Sequence, residues 1–481
     1  MKRLSAWLFL LLFPFMSDAE TKPRLPNVII IFMDDMGYGD VGVNGALQFN
    51  TPRIDRMAAE GIRFSNFVVA QAVCSASRTG LLTGCYPNRV GISGALRPTD
   101  SIGIAASEML IPEVLKERGY KTGMVGKWHL GHHRPFLPLQ HGFDEYYGIP
   151  YSNDMWPIAY GGGTPKAGEP KSKMPFPPII EGNEKVAEVL SMNDQALLTK
   201  KYTDRAESFI RRHARSPFFL YLAHSMPHVP IAASEAFSGK SKQGVYGDVL
   251  MELDWSVGRI LDVLKELKLD EETLVIVTSD NGPWMNFGNH AGSSGGFREA
   301  KGTVFEGGHR VPMIARWKGR IPAGSICNEL SSTLDLLPTI AAFTGARLPE
   351  QQIDGVNIEA LFTRASGEGR KEFFYYYGRN ELRAVRKADW KLMLPHRSQS
   401  YEEMKPGRDG FSGPTKQVNV PLALYDLRRD PGERYDVKDH YPEIVKELQE
   451  LALKARRDLG DDLTEEKGTG RRPAGSIRKV I

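Results

Sequence analysis

Val28-Ile29-Ile30-Ile31-Phe32-Met33-Asp34-Asp35 is the stretch that decides the fold. Six apolar residues run without a polar break, as they do in a strand covered on both faces. Two aspartates then follow at once, and Gly37-Tyr38-Gly39-Asp40 makes a turn. Strands of this kind belong to parallel sheets with helices on either side, and such sheets place ligands at the carboxyl ends of their strands. Adjacent aspartates repel, so their position there points to a cation as well as a turn.

The same grammar recurs along the chain. Lys121 to Val125 is a strand that ends in Gly126-Lys127-Trp128-His129-Leu130-Gly131. Phe218 to Ala223 ends in His224-Ser225-Met226-Pro227-His228, and Leu274 to Thr278 in Asp280-Asn281-Gly282. Val311 to Trp317 and a short stretch near Phe64 to Val69 read as further strands. Helices are expected between them: from Thr51-Pro52 to Gly61, over Leu110 to Arg118, Asn193 to Arg212, Tyr246 to Leu267 and Ser331 to Phe343. From about residue 370 the texture changes. Phe373 to Tyr377, Ala384 to Arg386, Trp390 to Leu394 and Ala423 to Asp426 read as short strands, and Pro442 to Leu459 as a closing helix. The expected fold is α/β: a large, mostly parallel sheet flanked by helices over 20–370, then a small antiparallel sheet with one helix over 371–481.

Between the first two strands and the rest lies Ala72-Val73-Cys74-Ser75-Ala76-Ser77-Arg78-Thr79-Gly80-Leu81-Leu82-Thr83-Gly84. It reads as a loop entering a short helix, with Ser75 or Ser77 as cap and Gly84 as terminator. The N-terminus of a helix favours negative charge, and Arg78 stands one turn on. Cys74 alone is open to three readings: a buried small hydrophobe, a thiolate nucleophile, or the precursor of a modified residue.

The chain has 481 residues, 41% hydrophobic and 25% charged, with a formal net charge of +4. That balance is ordinary for a globular protein and too weak to argue for nucleic acid. Residues 1–19 read as a secretory signal: Lys2 and Arg3, an apolar run from Leu4 to Met16, then Ser17-Asp18-Ala19 with cleavage after Ala19. No later segment is long and apolar enough to span a membrane. The mature protein is expected to be periplasmic or secreted, with no membrane attachment after cleavage. Three cysteines are present, Cys74, Cys85 and Cys327. Export permits Cys85 and Cys327 to pair, but two separate thiols is the safer reading. The stretch from Tyr160 to Pro178 is dense in glycine, proline and lysine, and reads as an irregular insertion near the cleft mouth.

Five points therefore stand at strand ends or helix starts: Asp34-Asp35, Cys74-Arg78, Lys127-His129, His224 and Asp280-Asn281. A set of this kind, each on its own unit, is what a converging site needs. Asp34, Asp35, Asp280 and Asn281 offer hard oxygen ligands, which suit calcium or magnesium. Three carboxylates over-neutralise a divalent ion, and Arg78, Lys127 or Lys301 can offset the surplus.

The Cys74-Ser75-Ala76-Ser77-Arg78 run with Thr83-Gly84 resembles the signature of type I sulfatases of the alkaline phosphatase superfamily, Ala76 standing where proline is commoner. The resemblance extends to Gly148-Ile149-Pro150-Tyr151-Ser152, Lys301-Gly302-Thr303, Glu306-Gly307-Gly308, Leu424-Tyr425-Asp426-Leu427 and Asp430-Pro431, and is strongest to the arylsulfatase A and N-acetylgalactosamine-6-sulfatase group. It implies an alkaline-phosphatase-like fold and residue roles. Cys74 is oxidised to formylglycine by a maturation enzyme. Asp34, Asp35, Asp280, Asn281 and the modified Cys74 bind Ca2+. Arg78 steadies the hydrated formylglycine, Lys127 and Lys301 hold sulfate oxygens, and Ser152 supports them. His129 is the base on the hydrate, and His224 assists the leaving group or binds sulfate. A hydrated aldehyde carries two hydroxyls: one attacks sulfur, and loss of the proton from the other expels sulfate, a route closed to a serine ester.

The expected function is release of sulfate from a sulfated carbohydrate, or an aryl sulfate surrogate. Two other readings stand beside it. A phosphate-ester or phosphonate hydrolase of the same superfamily is disfavoured by Cys74 and a single oxygen-rich site. An inactive sulfated-glycan binding protein is disfavoured because every matched residue is retained. Trp156, Trp284, Phe297, His290 and Arg298 lie in loops that could stack on a ring or pair with an acidic sugar, or simply pack.

Overall fold

The computed structural model describes residues 24–159 and 170–477. The expected signal segment, and most of the Tyr160 to Pro178 insertion, lie outside the described residues. Ten strands form one sheet. In spatial order they are Ser325–Cys327, Ile62–Phe64, Met313–Arg316, Thr273–Ser279, Asn27–Met33, Phe218–Ala223, Lys121–Lys127, Glu145–Ile149, Pro178–Glu181 and Glu184–Glu188. The middle five, from Thr273–Ser279 to Glu145–Ile149, are parallel. Met313–Arg316 on one side and the 178–188 hairpin on the other run antiparallel. The sheet is thus mixed, with its parallel part at the centre.

Successive residues of Asn27–Met33 feed opposite cores. Val28, Ile30 and Phe32 join one with Leu81, Leu82, Ile111 and Leu336. Ile29, Ile31 and Met33 join the other with Tyr202, Phe209, Val249, Leu253 and Ile260. Helices Cys74–Thr83, Ile111–Lys116 and Leu336–Thr344 cover the first face; Leu198–His213 and Val245–Glu266 cover the second. Each fully buried large apolar side chain stabilises the fold by roughly 1.5–3 kcal/mol relative to exposure.

Several boundaries differ from the sequence reading. The expected helix from Asn193 breaks at Leu197 into Met192–Ala196 and Leu198–His213, the first capped by Ser191 and Asp194. The stretch from Ser331 begins as a two-residue strand and a tight turn before Leu336–Thr344 turns helical. The stretch near Phe64 to Val69 divides into Ile62–Phe64 and Phe67–Val68, which join different sheets.

Toward the C-terminus, Glu372–Tyr377, Glu381–Lys387, Trp390–Met393 and Ala423–Asp426 form a four-stranded antiparallel sheet. Helix Pro442–Leu459 packs on it through Leu448, Leu451, Ala452, Ala455 and Leu459. A hairpin, His396–Ser400 with Lys416–Val420, leaves this unit and reaches the strand-end edge of the large sheet. The C-terminal chain then returns, and Gly475–Ser476 pairs with Ile102–Gly103. Among the described residues no helix is long and apolar enough to cross a membrane.

Candidate active site

The carboxyl ends of the central strands are tied together by backbone bonds. Asp280 N donates to Met33 O (3.1 Å), Asp34 N to Met226 O (3.2 Å) and His224 N to Phe32 O (2.9 Å). Asp34 and Asp35 leave the sheet there. Asp35 has φ of 64°, a left-handed conformation uncommon for a side-chain-bearing residue. It is held by its own N–H on Asp280 Oδ1 (3.1 Å) and by Met36 N on Ser279 Oγ (3.0 Å).

Cys74 is the first residue of its helix, with Val73 in the capping position. Neither serine caps it. Ser75 Oγ instead accepts from Leu96 N (2.9 Å), which fixes the loop alongside. Gly84 ends the helix at φ 67°, as its sequence position suggested. The helix start aims Cys74 at the aspartates: Sγ lies 3.6 Å from Asp34 Oδ1 and 3.5 Å from Lys301 Nζ. Burial pushes the Cys74 thiol well above the usual range, against the pull of Lys127 and Lys301.

Three cations are interleaved with three carboxylates. Lys127 Nζ reaches Asp34 Oδ2 (2.5 Å) and Ser152 Oγ (3.0 Å). Lys301 Nζ bridges both oxygens of Asp35 (2.6 and 2.8 Å). Arg78 lies beneath, donating to Asp280 Oδ2 (2.9 Å) and to the Lys127 carbonyl (2.9 Å), and lying 3.6 Å from Asp34 Oδ2. Burial opposes ionisation of Asp34, but Lys127, then His228 and Arg78, outweigh it and hold its carboxyl below the usual range. Burial works against charge on Lys301 too, and Asp35 overcomes it, so the ammonium persists.

His129 is fully buried with φ of 63°. Its Nε2 lies 2.8 Å from the Leu96 carbonyl, which assigns the ring proton to Nε2. Nδ1 is buried without a partner. Burial, with Lys127 and Arg78 nearby, keeps the ring neutral. His224 does not join this group. Its side chain turns back into the helical layer, with Nε2 3.0 Å from Ser256 Oγ and the ring beside Tyr202. Burial drives it down to about 3. The histidine that does reach the site is His228, four residues on. Its Nδ1 is 2.6 Å from Val229 O, and its Nε2 is 3.6 Å from Asp35 Oδ2. Sequence spacing alone offered no choice between the two.

A ligand atom each from Asp34, Asp35, Cys74 and His228 lies within 4.8 Å of the others. Asn281 adds to this set. Its Nδ2 donates to Asp35 Oδ1 (2.7 Å), leaving Oδ1 buried and without a partner. An orphaned buried oxygen on a side chain bonded to Asp35 suits a hard cation.

A cavity of about 560 Å³ opens above Cys74, with His129, Ser152, Asp154, His228 and Lys301 in its lining and Arg97, Trp284, Tyr377 and Gln399 at its walls. Of the five loop residues expected to face a ring, Trp284 alone is in that lining. Trp156 is wholly buried. Phe297 packs edge-on against Tyr38 and under Arg310, and Arg298 is paired with Glu402. His290 sits on a tight turn away from the lining. Tyr377 and Gln399 come from the C-terminal unit, and no sequence signal marked them. Gln399 Nε2 and Tyr401 OH both donate to the Lys301 carbonyl (2.8 and 2.7 Å). Gly302, at φ 82°, lets them in, since a Cβ there would stand 2.2 Å from Gln399 Nε2. Cys85 and Cys327 are both free and buried.

The family model "Sulfatase" matches residues 26–346, and "C-terminal region of aryl-sulfatase" matches 369–473. A third model, "N-sulphoglucosamine sulphohydrolase, C-terminal", matches 296–405. The chain is 40% identical over 454 residues to N-acetylgalactosamine-6-sulfatase of Mus musculus, covering 89% of this chain and 85% of that one. It is 38% identical over 458 residues to arylsulfatase A of Homo sapiens, covering 90% and 89%. Among solved structures, the PsFucS1 sulfatase from Pseudoalteromonas sp. superimposes with a TM-score of 0.81 at 27% identity, over 94% of this chain and 92% of that one. Ps i-CgsB, solved in complex with k-i-k-neocarrahexaose, gives 0.74 at 28%, over 90% and 92%. Alignment on this scale, reaching both the large sheet and the C-terminal unit, leaves one assignment: the chain belongs to the sulfatase family and is an enzyme that hydrolyses sulfate esters.

Proposed function

We propose that this sulfatase releases inorganic sulfate from a sulfated carbohydrate, using Cys74 after its conversion to formylglycine and one calcium ion. The observation that carries the reading is the position of Cys74. Its Sγ stands at the cavity floor, on a helix N-terminus, among Asp34, Asp35 and His228 and 3.5 Å from Lys301 Nζ. The substrate class is supported by the cavity's size, which falls in the range of small-molecule sites, and by the sugar named in the N-acetylgalactosamine-6-sulfatase relatives.

Asp34, Asp35, Asp280 and Asn281 would hold the calcium, which when bound supplies positive charge to the oxygens of the sulfuryl group. A hydrated aldehyde at position 74 supplies two hydroxyls on one carbon, one for attack on sulfur and one for release. The remaining work falls to the chain's own residues. Lys127 holds Asp34 ionised, and Lys301, paired with Asp35, presents its ammonium to an incoming sulfate ester. Ser152 Oγ fixes the Lys127 ammonium from its far side. Arg78 is too deep to touch substrate; it locks Asp280 and Asp34 in place. His129, neutral with Nδ1 unprotonated, is fitted to take a proton near position 74. We assign the leaving-group proton to His228, in place of His224. The Nδ1 proton is committed to Val229 O, so Nε2 is the atom that gains and donates a proton at the cavity wall.

The reading carries its setting with it. Residues 1–19 serve as the export signal, placing the mature protein in a periplasm or outside the cell. Residues 20–370 form the catalytic domain and 371–481 a subdomain that completes the pocket wall. A formylglycine-generating enzyme acts on the chain before it folds.

The test is sulfate release across a panel of sulfated sugars, with calcium, by protein co-expressed with such an enzyme. Release that disappears in Cys74→Ser supports the reading. Phosphate release from a parallel ester panel, without sulfate release, would replace it with the phosphate-ester alternative.

A further inference from the structure

Among the described residues, two side chains with a fixed positive charge line the cavity, Lys301 and Arg97. Lys301 is committed to Asp35. Arg97 is different: it is exposed, and among the described residues its guanidinium makes no hydrogen bond or ion pair. The nearest carboxylate along the chain, Asp100, is already used. Its Oδ2 accepts from the backbone N–H of Arg97 (2.7 Å), and its own N–H returns to Arg97 O (3.0 Å). The turn is therefore closed by the Asp100 carboxylate and by backbone, without the guanidinium.

The turn is also anchored to the catalytic helix. Leu96, the residue before, gives its N–H to Ser75 Oγ (2.9 Å) and its carbonyl to His129 Nε2 (2.8 Å). Gly94 O accepts from Ala76 N (3.1 Å), and the returning C-terminal chain adds Ile477 N to Ser101 O (3.0 Å). The Arg97 backbone is thus held on both sides, next to the helix that begins at Cys74. Trp284 and Tyr377 line the same cavity and supply aromatic surface. Trp284 is itself braced by Phe287, His228 and the Lys301 ammonium over its ring.

A planar guanidinium with no partner among the described residues, carried on an anchored turn into the cavity that holds Cys74 and two aromatic side chains, is suited to receive an anion on a ring whose first anion is already placed. We propose that Arg97 binds a second anionic substituent, a sulfate or carboxylate, on the sugar whose sulfate ester sits over Cys74. The preferred ligand is then a doubly anionic sugar. This rests on the sulfated-carbohydrate reading above.

Calorimetry on the full chain with unmodified Cys74 and calcium tests it without turnover. The probes are matched pairs: galactose 6-sulfate with its 4,6-disulfate, N-acetylgalactosamine 6-sulfate with its 4,6-disulfate, and glucosamine 6-sulfate with its 2-N,6-O-disulfate. At least one pair is expected to show about ten- to a hundredfold tighter binding of the disulfate. In Arg97→Gln that ratio should fall to within about twofold, and Arg97→Lys should keep part of it. Equal affinities within every wild-type pair would overturn the proposal. So would a ratio that survives Arg97→Gln, or an equal loss for both members of each pair. Turnover of 4-nitrophenyl sulfate by the matured wild type reports separately on the sulfatase chemistry. Its absence, with formylglycine present, breaks that chemistry while the calorimetric ratio still answers for Arg97.

Discussion

Nε2 of His228 lies 3.6 Å from Oδ2 of Asp35, at the wall of the cavity above Cys74. Four residues earlier, His224 is still part of the sheet: its N–H donates to Phe32 O, and its ring points into the helical layer toward Ser256. The two histidines should therefore separate cleanly in kinetics. His228→Ala is expected to lower kcat by about 10²- to 10⁴-fold. His224→Ala should leave kcat within about tenfold of wild type and cost stability instead, about 1–3 kcal/mol for the lost hydrogen bond and buried ring, Ser256 Oγ keeping only the bond it accepts from Thr203 Oγ1. Steady-state rates on one sulfate ester, with a urea melt of each variant, check both.

Three carboxylates face three fixed cations at the cavity floor. Calcium adds two positive charges to a balanced set, and a sulfate anion in the cavity offsets part of that excess. Calcium and sulfate binding should each strengthen the other. Calorimetric calcium affinity is expected to rise severalfold in saturating sulfate. Chelation of the ion should lower the unfolding temperature in a concentration-dependent way. Asp34→Asn should abolish both effects.

The parts of this molecule legible in its sequence are those where burial is uniform. Val28 to Met33, Phe218 to Ala223 and Leu274 to Val277 are buried throughout because helices cover both faces, and each lies a few residues before a site residue. The 178–188 hairpin was hidden because Glu184–Glu188 is an exposed edge with little apolar pattern. His224 and His228 could not be told apart, because the difference is the direction the chain takes after a strand end. Tyr377 and Gln399 were invisible for another reason. They reach the cavity from a separate unit, through a contact made possible by Gly302.

A buried charge cluster also joins the C-terminal unit to the large one. Lys391 Nζ lies 3.0 Å from Glu306 Oε1, 2.8 Å from Glu433 Oε1 and 2.8 Å from Val304 O, all out of solvent. Lys391→Met leaves two glutamates facing each other without their shared cation. It should destabilise the protein by about 3–5 kcal/mol in urea unfolding. Adding Glu433→Gln should recover part of the loss.

Asp40 gives a pH dependence with a definite sign. It is buried, and burial lifts its carboxyl to about 7, against hydrogen bonds from Tyr246 OH, Ser293 N and Gly37 N. The folded protein holds this proton where the unfolded chain has lost it. The group's contribution is therefore fully present below about pH 4 and is lost as pH rises through about 7. Unfolding free energy, followed from pH 5 to pH 8, should carry a falling component from this site. Asp40→Asn is expected to be less stable at every pH, since its amide meets Ser293 N or Gly37 N, and to flatten that fall.

The central claim is that the residue at position 74 acts as formylglycine. Trypsin should release it in the peptide Phe64–Arg78, cut after Arg63 and Arg78, whose mass reports the loss of sulfur and two hydrogens and the gain of one oxygen. Preparations with graded conversion, made by varying co-expression of the maturation enzyme, can be assayed for sulfate release in calcium. Specific activity should rise in proportion to the converted fraction and extrapolate to zero at none. Activity that persists in fully unconverted protein would contradict the account.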